Sequence, residues 1–309
     1  MRLLKKITQI IPIMIVIMIL ASACIGREPE LRTSPDEVTL RVGSKDFTEE
    51  FIIAEMYAYL LENAGFNVER KFNLGGTPVA HAAILNNDID LYPEYTSTGL
   101  ITVLKMPPIT DSEQIIETVR SEYKAQFRLT WLEPAPFNNA QALAMTRERS
   151  ETLGITTFSD LAVQASDLIL GGPAEFMERE DGLRALHDTY GGFQFREVIQ
   201  LGTGSLRYQA LLDGQIDVVV AFGTDGEIQG YDLVRLVDDK NLYPVYQVAP
   251  VVRQDVLDRH TQIAEALNPL APLLTNEVMS GLNWQVDGPE NKEPADVAHT
   301  FLEQNGLLD

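Results

Sequence analysis

The stretch L-G-G-T-P-V-A-H-A-A-I-L-N-N-D-I-D-L-Y-P-E-Y-T-S-T-G, Leu74 to Gly99, decides the fold because the chain repeats it. It aligns without gaps with L-G-T-G-S-L-R-Y-Q-A-L-L-D-G-Q-I-D-V-V-V-A-F-G-T-D-G, Leu201 to Gly226. Leu74, Gly75, Ala83, Leu85, Ile89, Asp90 and Gly99 recur as Leu201, Gly202, Ala210, Leu212, Ile216, Asp217 and Gly226, and Tyr95 falls opposite Phe222. Two copies of one unit imply two similar lobes; chance likeness between helix-turn-strand units is the competing reading. The end of the first copy, Ile89 to Gly99, reads as a buried strand running out into a loop with two tyrosines, a carboxylate and two threonines.

Outward from the repeat, Val38 to Gly43 alternates as a strand does. Thr48 to Asn63 places Phe51, Ile52, Glu55, Met56, Tyr59 and Leu60 at helical spacing. Asn67 to Asn73, Thr77 to Leu85 and Ile89 to Tyr92 continue as strand, helix and strand, the pattern of a parallel sheet covered by helices. Ligands of such sheets bind beyond the carboxyl ends of strands, here Ser44-Lys45-Asp46 and Tyr92 through Thr98. Asp111 to Gln126 reads as a helix and Leu129 to Leu132 as a strand, after which Glu133-Pro134-Ala135-Pro136 marks a crossing between lobes. Strands are expected at Ala140 to Thr146, Asp167 to Leu170, Leu233 to Leu236 and Tyr246 to Arg253. Helices are expected at Phe158 to Ala165, Asp181 to Tyr190, Asp255 to Leu267, Leu270 to Met279 and Pro294 to Gln304. The expected fold is therefore α/β and two-lobed, each lobe a mostly parallel sheet covered by helices, with two hinge strands. Lobe one takes residues 38–138 and 247–309, lobe two 139–246, and such a chain closes around a ligand.

The 309 residues suffice for two lobes and a large core. Residues 1–23 read as an export signal: Arg2, Lys5 and Lys6 precede an apolar run, and Ala21-Ser22-Ala23 leads to Cys24. Cys24 is the only cysteine, so no internal disulfide is possible, and the small residues before it resemble a bacterial lipoprotein cleavage box, with Ala21 where Leu is usual. Cys24 is thus expected to carry lipid, with residues 24–37 as a polar tether. Loss of the signal takes the net charge from −21 to −24. That balance argues against nucleic acid and describes a solvated surface.

The segments G-S-K-D-F-T-E-E, L-Y-P-E-Y-T-S-T-G, F-N-N, E-F-M-E-R-E-D-G, L-R-Y-Q-A-L, F-G-T-D-G and Y-P-V-Y-Q-V-A-P-V-V-R occur in this order. Together they resemble the substrate-binding proteins of bacterial ABC importers for glycine betaine, choline, carnitine and related osmoprotectants, over about Val38 to Leu308. The resemblance implies an aromatic cage for a quaternary ammonium group, which donates no classical hydrogen bond and is attracted to ring faces. Carried over, the cage falls on Tyr95, Phe222 and Tyr246. A further cage tyrosine of the family is Gln141 here, which removes one wall and leaves either a ligand contact or a plain strand residue. A ligand carboxylate would meet Arg179, with help from Ser44 and Lys45; Thr98 stands at a polar contact, and Asn139 where some members have an acid. Against these stand a salt-bridge network for Arg179 among Glu175, Glu178, Glu180 and Asp181, a pair of Lys45 with Asp46, and simple packing for Tyr92 and Tyr243. The resemblance also implies permease and ATPase partners and a monomeric receptor.

An enzyme would need activated groups. His81, His187, His260 and His299 are scattered without metal-ligand spacing, and Gly202-Thr203-Gly204-Ser205 lacks the Lys of a phosphate loop. Glu94 and Asp225 could pair for acid/base work across the cleft, and are expected instead to cap turns or bond backbone amides. No cofactor or metal is expected, and the default reading is a binder of a betaine or choline. A larger trimethylated zwitterion such as carnitine or ergothioneine, hydrogen-bonded by Gln141, is the alternative.

Overall fold

The two copies of the repeat fold into the same pair of elements in the computed structural model, which describes residues 38–308. The export signal, Cys24 and the tether lie outside the described residues. Helix Thr77–Leu85 and strand β3, Leu91–Tyr95, of the first copy match helix Leu206–Leu212 and strand β8, Val218–Phe222, of the second.

The remaining strands are β1 (Thr39–Gly43), β2 (Asn67–Lys71), β4 (Leu129–Trp131), β5 (Gln141–Thr146), β6 (Ile169–Gly172), β7 (Glu197–Gln200), β9 (Leu233–Arg235) and β10 (Val248–Arg253). They form two five-stranded sheets of identical topology, in the orders β2-β1-β3-β10-β4 and β7-β6-β8-β5-β9. β1 runs parallel to β2 and β3, and β6 parallel to β7 and β8. The outer half of each sheet is antiparallel, through β10 in one and β5 in the other, so each sheet is mixed.

The equivalence extends beyond the aligned stretch. Asp90 accepts the Arg41 backbone N–H at 2.9 Å and Asp217 the Ile169 N–H at 2.9 Å, so each repeated carboxylate ties its turn to the parallel strand beside it, β1 in one lobe and β6 in the other. A Cβ on Gly43 would lie 2.6 Å from Ile89 Cδ1, and one on Gly171 2.5 Å from Ile216 Cδ1. The glycines are present because each repeated isoleucine packs flat on the neighbouring strand. Convergence of sequence, topology and side-chain environment excludes chance.

Both faces of each sheet are covered. In lobe one, Leu91 and Val252 face a core built around helix Thr48–Asn63, while Tyr92 and Val251 face a second core with Trp131 and Tyr123. Lobe two repeats this, with Val218 and Val220 on one side and Val219 and Ala221 on the other. Helix Thr48–Asn63 keeps its expected bounds but not a simple apolar stripe. It is buried round most of its circumference, including Glu49 and Glu50 in its first turn.

Several expected elements change. β3 runs on to Tyr95, and the residues expected as a loop turn into a helical segment, Thr96–Thr98, and a π-helical segment, Gly99–Val103. Helices Arg147–Leu153 and Ala174–Glu178 had no clear apolar period to reveal them. The expected helix over 255–267 is two, Gln254–Arg259 and Gln262–Leu267, and the expected helix over 270–279 is a 3-10 segment, Asn268–Leu273, followed by helix Asn276–Asp287. Pro269 and Pro272 lack the N–H groups that an unbroken α-helix would donate to the carbonyls of residues 265 and 268.

The crossings are extended segments outside the sheets. They meet through Asn139 N–H to Tyr246 carbonyl at 3.0 Å, and Ala135 N–H reaches the Val248 carbonyl at the start of β10 at 2.8 Å. Pro134, Pro136 and Pro244 withhold the donors a continuous ladder would need.

Gly171→Ala should destabilise the protein by about 1–3 kcal/mol through overpacking. The double variant Gly171→Ala with Ile216→Val, which removes the nearest carbon, should recover much of that loss in denaturant unfolding. An equally unstable double variant would place the strain elsewhere.

Candidate ligand site between the lobes

β3 and β8 end facing one cavity, and the crossings form its back. Lys45, Tyr95, Thr98, Asn139, Gln141, Arg179, Phe222 and Tyr246 all line it, so eight of the residues singled out in the sequence meet in one place. Ser44 does not line it. Its hydroxyl accepts the Asn73 N–H at 3.0 Å and donates to the Lys45 carbonyl, which makes it a brace for the loop after β1.

Five aromatic rings stand round the cavity: Phe47, Tyr95, Phe176, Phe222 and Tyr246. Phe47 and Phe176 escaped the sequence reading although both lie inside the segments quoted for the resemblance, because nothing in a lone Phe tells cavity wall from core. Glu175, Thr77, Pro173 and Thr203 also line the cavity.

The two jaw rings are braced alike. Glu94 accepts the Tyr95 N–H at 2.8 Å and Asp225 accepts the Phe222 N–H at 2.9 Å, which is the backbone role expected for both carboxylates. Each also pairs with a buried cation lying against the ring: Lys45 Nζ is 2.5 Å from Glu94 and 4.9 Å from the Tyr95 centroid, and Arg207 is 2.6 Å from Asp225 and 5.6 Å from the Phe222 centroid. Lys45 therefore pairs with Glu94, not with Asp46. Burial opposes its charge, but Glu94 and Glu50 outweigh burial and hold its pKa above the ordinary value. Tyr92 is in the core with its hydroxyl on Glu94, and Tyr243 is not among the cavity's lining.

Arg179 follows the short helix Ala174–Glu178, and its fork is already engaged. Nε and Nη2 reach Asp181 at 2.7 and 2.6 Å, with Thr98 Oγ1 at 3.4 Å and Glu175 at 3.6 Å from Nη1. Of the surface network raised as a competitor, Asp181 and Glu175 pair with Arg179 while Glu178 and Glu180 do not, and the Arg179–Asp181 pair is buried beside the cavity. The turn needs Gly182, because a Cβ there would meet the Phe176 carbonyl oxygen at 1.9 Å. Burial pushes the Asp181 pKa up, but Arg179 outweighs burial and holds the carboxyl below its ordinary range. The Tyr246 hydroxyl donates to Asp181 as well, at 2.5 Å.

Glu49 is the residue the sequence reading overlooked. It is buried, and its carboxylate accepts from Tyr95 Oη at 2.6 Å, Asn139 Nδ2 at 2.8 Å, Asn283 Nδ2 at 3.0 Å and Thr224 Oγ1. Burial pushes its pKa up, against these hydrogen bonds. An acid in a first helical turn is a common capping choice, so no local signal set it apart from Glu50.

The arrangement surrounds the cavity with aromatic rings and places the Glu175 carboxylate among them. Among the described residues no group of His, Cys, Asp and Glu could hold a metal ion, and no helix is long and apolar enough to cross a membrane. Two lobes of this topology closing on an aromatic cavity define a solute-binding protein of the periplasmic-binding type.

Residues 38–304 match the model of the substrate binding domain of the ABC-type glycine betaine transport system, and the chain belongs to that family. It is 36% identical over 280 residues to a glycine-betaine-binding protein of Pseudomonas aeruginosa, covering 88% of this chain and 89% of that one. It is 35% identical over 277 residues to an ergothioneine transport permease/ergothioneine binding protein of Helicobacter pylori, covering 89% of this chain but 49% of that longer one. A solved structure titled as a glycine betaine/carnitine/choline ABC transporter superposes with a TM-score of 0.71 at 31% identity, covering 87% of this chain and all of that one.

Glu50 lies fully buried behind Lys45, and burial pushes its carboxyl up to about 8. It is protonated in both states at low pH. Between about pH 4.5 and about pH 8 the unfolded chain ionises first, so stability should fall as pH rises through that window. Glu50→Gln should flatten this part of the profile in pH-dependent unfolding, and an unchanged slope would remove Glu50 as its source.

Proposed function

We propose that this chain is the receptor of an ABC importer for a quaternary-ammonium compound of the glycine betaine, choline or carnitine type. The observation that carries the reading is the ring of five aromatic side chains round one interlobe cavity. Ring faces attract a cation that cannot donate hydrogen bonds, and they spare it the loss of a polar shell without a replacement. Tyr95 and Phe222 close from the two lobes, Tyr246 from the returning crossing, and Phe47 and Phe176 supply walls where Gln141 removes one.

A ligand carboxylate would reach Arg179 Nη1 and Thr98, with Lys45 as a more distant positive charge and Ser44 acting through the loop it braces. Residues 38–138 and 247–309 move as one lobe and 139–246 as the other. Ligand shifts the pair toward the closed form, whose joint surface a permease driven by an ATPase recognises. The receptor works outside the cytoplasm as a monomer, held to the membrane by lipid on Cys24 after removal of residues 1–23, and it catalyses no reaction. Ergothioneine is the second reading, favoured by Gln141 in place of a ring.

Calorimetry on the purified full chain should show binding to at least one of glycine betaine, choline, carnitine and ergothioneine, and no binding to any of them rejects the ligand class. Tyr95→Ala should weaken that binding about 5- to 30-fold, the equivalent of about 1–2 kcal/mol. Cys24→Ser should shift the protein from the membrane fraction to the soluble extracytoplasmic fraction.

A further inference from the structure

The hydrogen-bonding groups of the cavity wall are unequally satisfied. Five donor groups of the wall are engaged within the protein: Tyr95 Oη on Glu49, Tyr246 Oη on Asp181, Thr203 Oγ1 on the Asp46 carbonyl, Lys45 on Glu94, and Arg179 Nε and Nη2 on Asp181. The buried side-chain atoms of the lining that have no hydrogen bond are all acceptors: Asn139 Oδ1, Gln141 Oε1 and Glu175 Oε1.

The amide orientations follow from the partners. Asn139 Nδ2 lies 2.8 Å from a Glu49 carboxylate oxygen and Gln141 Nε2 lies 3.2 Å from the Asp181 carbonyl oxygen. Both partners are acceptors, so turning either amide over would set oxygen against oxygen. Asn139 is 8% exposed and Gln141 5%, too little for bulk water to satisfy the two oxygens. A ligand that brings a donor to such an acceptor gains a hydrogen bond that a ligand without one cannot make.

We propose that the ligand brings its own donor, an N–H or O–H group beside its cationic head, and that Gln141 and Asn139 select for it. This rests on the quaternary-ammonium reading above and narrows it. Glycine betaine has three N-methyl groups and a carboxylate, hence no donor, and leaves both amide oxygens unmet. Choline and carnitine offer a hydroxyl, and ergothioneine a ring N–H. At Gln141 a donor-seeking oxygen stands where the resemblance implies a tyrosine, whose ring face would meet any methylated ammonium alike. That exchange trades affinity for any methylated ammonium against discrimination among them.

The test is competition calorimetry on the full chain with four probes: glycine betaine, choline, choline O-methyl ether and ergothioneine. The expected result is that the tightest ligand carries a donor and exceeds glycine betaine by about tenfold or more, the effect of one good hydrogen bond to a buried partner. Choline should exceed its O-methyl ether if the donor is a hydroxyl, and ergothioneine should exceed choline if it is a ring N–H. Gln141→Leu should shrink the ratio between the tightest donor-bearing ligand and glycine betaine at least fivefold. Glycine betaine binding as tightly as every donor-bearing probe, or a ratio unmoved in Gln141→Leu, overturns the proposal and leaves the family reading standing. Failure of all four probes to bind removes the ligand class itself, and this inference with it. The ranking in the unaltered protein decides the matter even where the variant does not fold.

Discussion

One buried carboxylate joins the parts of this molecule that must agree for a site to exist. Glu49 takes hydrogen bonds from the jaw tyrosine Tyr95, from Asn139 on a crossing, from Asn283 on a C-terminal helix and from Thr224 in the other lobe. A carboxylate out of water is costly unless its lone pairs are met. Glu49 therefore holds these groups in one geometry, and any displacement between lobes has to break a bond to it. The Thr224 contact is made across the lobes, so Glu49 senses how they are placed as well as where the ring of Tyr95 stands.

The same economy of charge runs through the site. Each cation in it has been matched by a carboxylate of the protein, Lys45 by Glu94, Arg207 by Asp225 and Arg179 by Asp181. Pairing lets the cations be buried and fixes the backbone under Tyr95 and Phe222. It also leaves the rings, more than any bare charge, to recognise what enters. A site built this way suits a ligand whose cationic head is bulky and poorly hydrated, because the rings replace a weak hydration shell at little cost.

The two lobes show how far a duplicated plan constrains detail. Strand order, the Asp90 and Asp217 turns and the packing of Ile89 and Ile216 on Gly43 and Gly171 coincide. What differs lies at the strand ends: Tyr95 bonds Glu49 through its hydroxyl, whereas Phe222 has none to offer. The copies share what builds a sheet and diverge where they meet the cavity, as binding function requires of loops and strand termini.

Sequence alone determined the repeat, the two-lobed plan and most strands and helices, because side-chain period and glycine placement are local signals. It also pointed to eight of the residues that line the cavity, through the resemblance its motifs carry. It could not show that β3 continues to Tyr95, since Pro93 disguises the strand end and only the pairing of Pro93 with Pro250 on β10 makes it part of a ladder. Nor could it separate Phe47 and Phe176 from core residues, or Glu49 from Glu50. Those roles depend on what lies across the cleft, and the groups that Glu49 joins are as far as 234 positions away in the chain. Which hydrogen-bonding groups of the wall are left unmet was likewise a tertiary outcome: the sequence leaves Gln141 as either a ligand contact or a plain strand residue, and only the fold shows Asp181 claiming its amide nitrogen and leaving its oxygen without a donor.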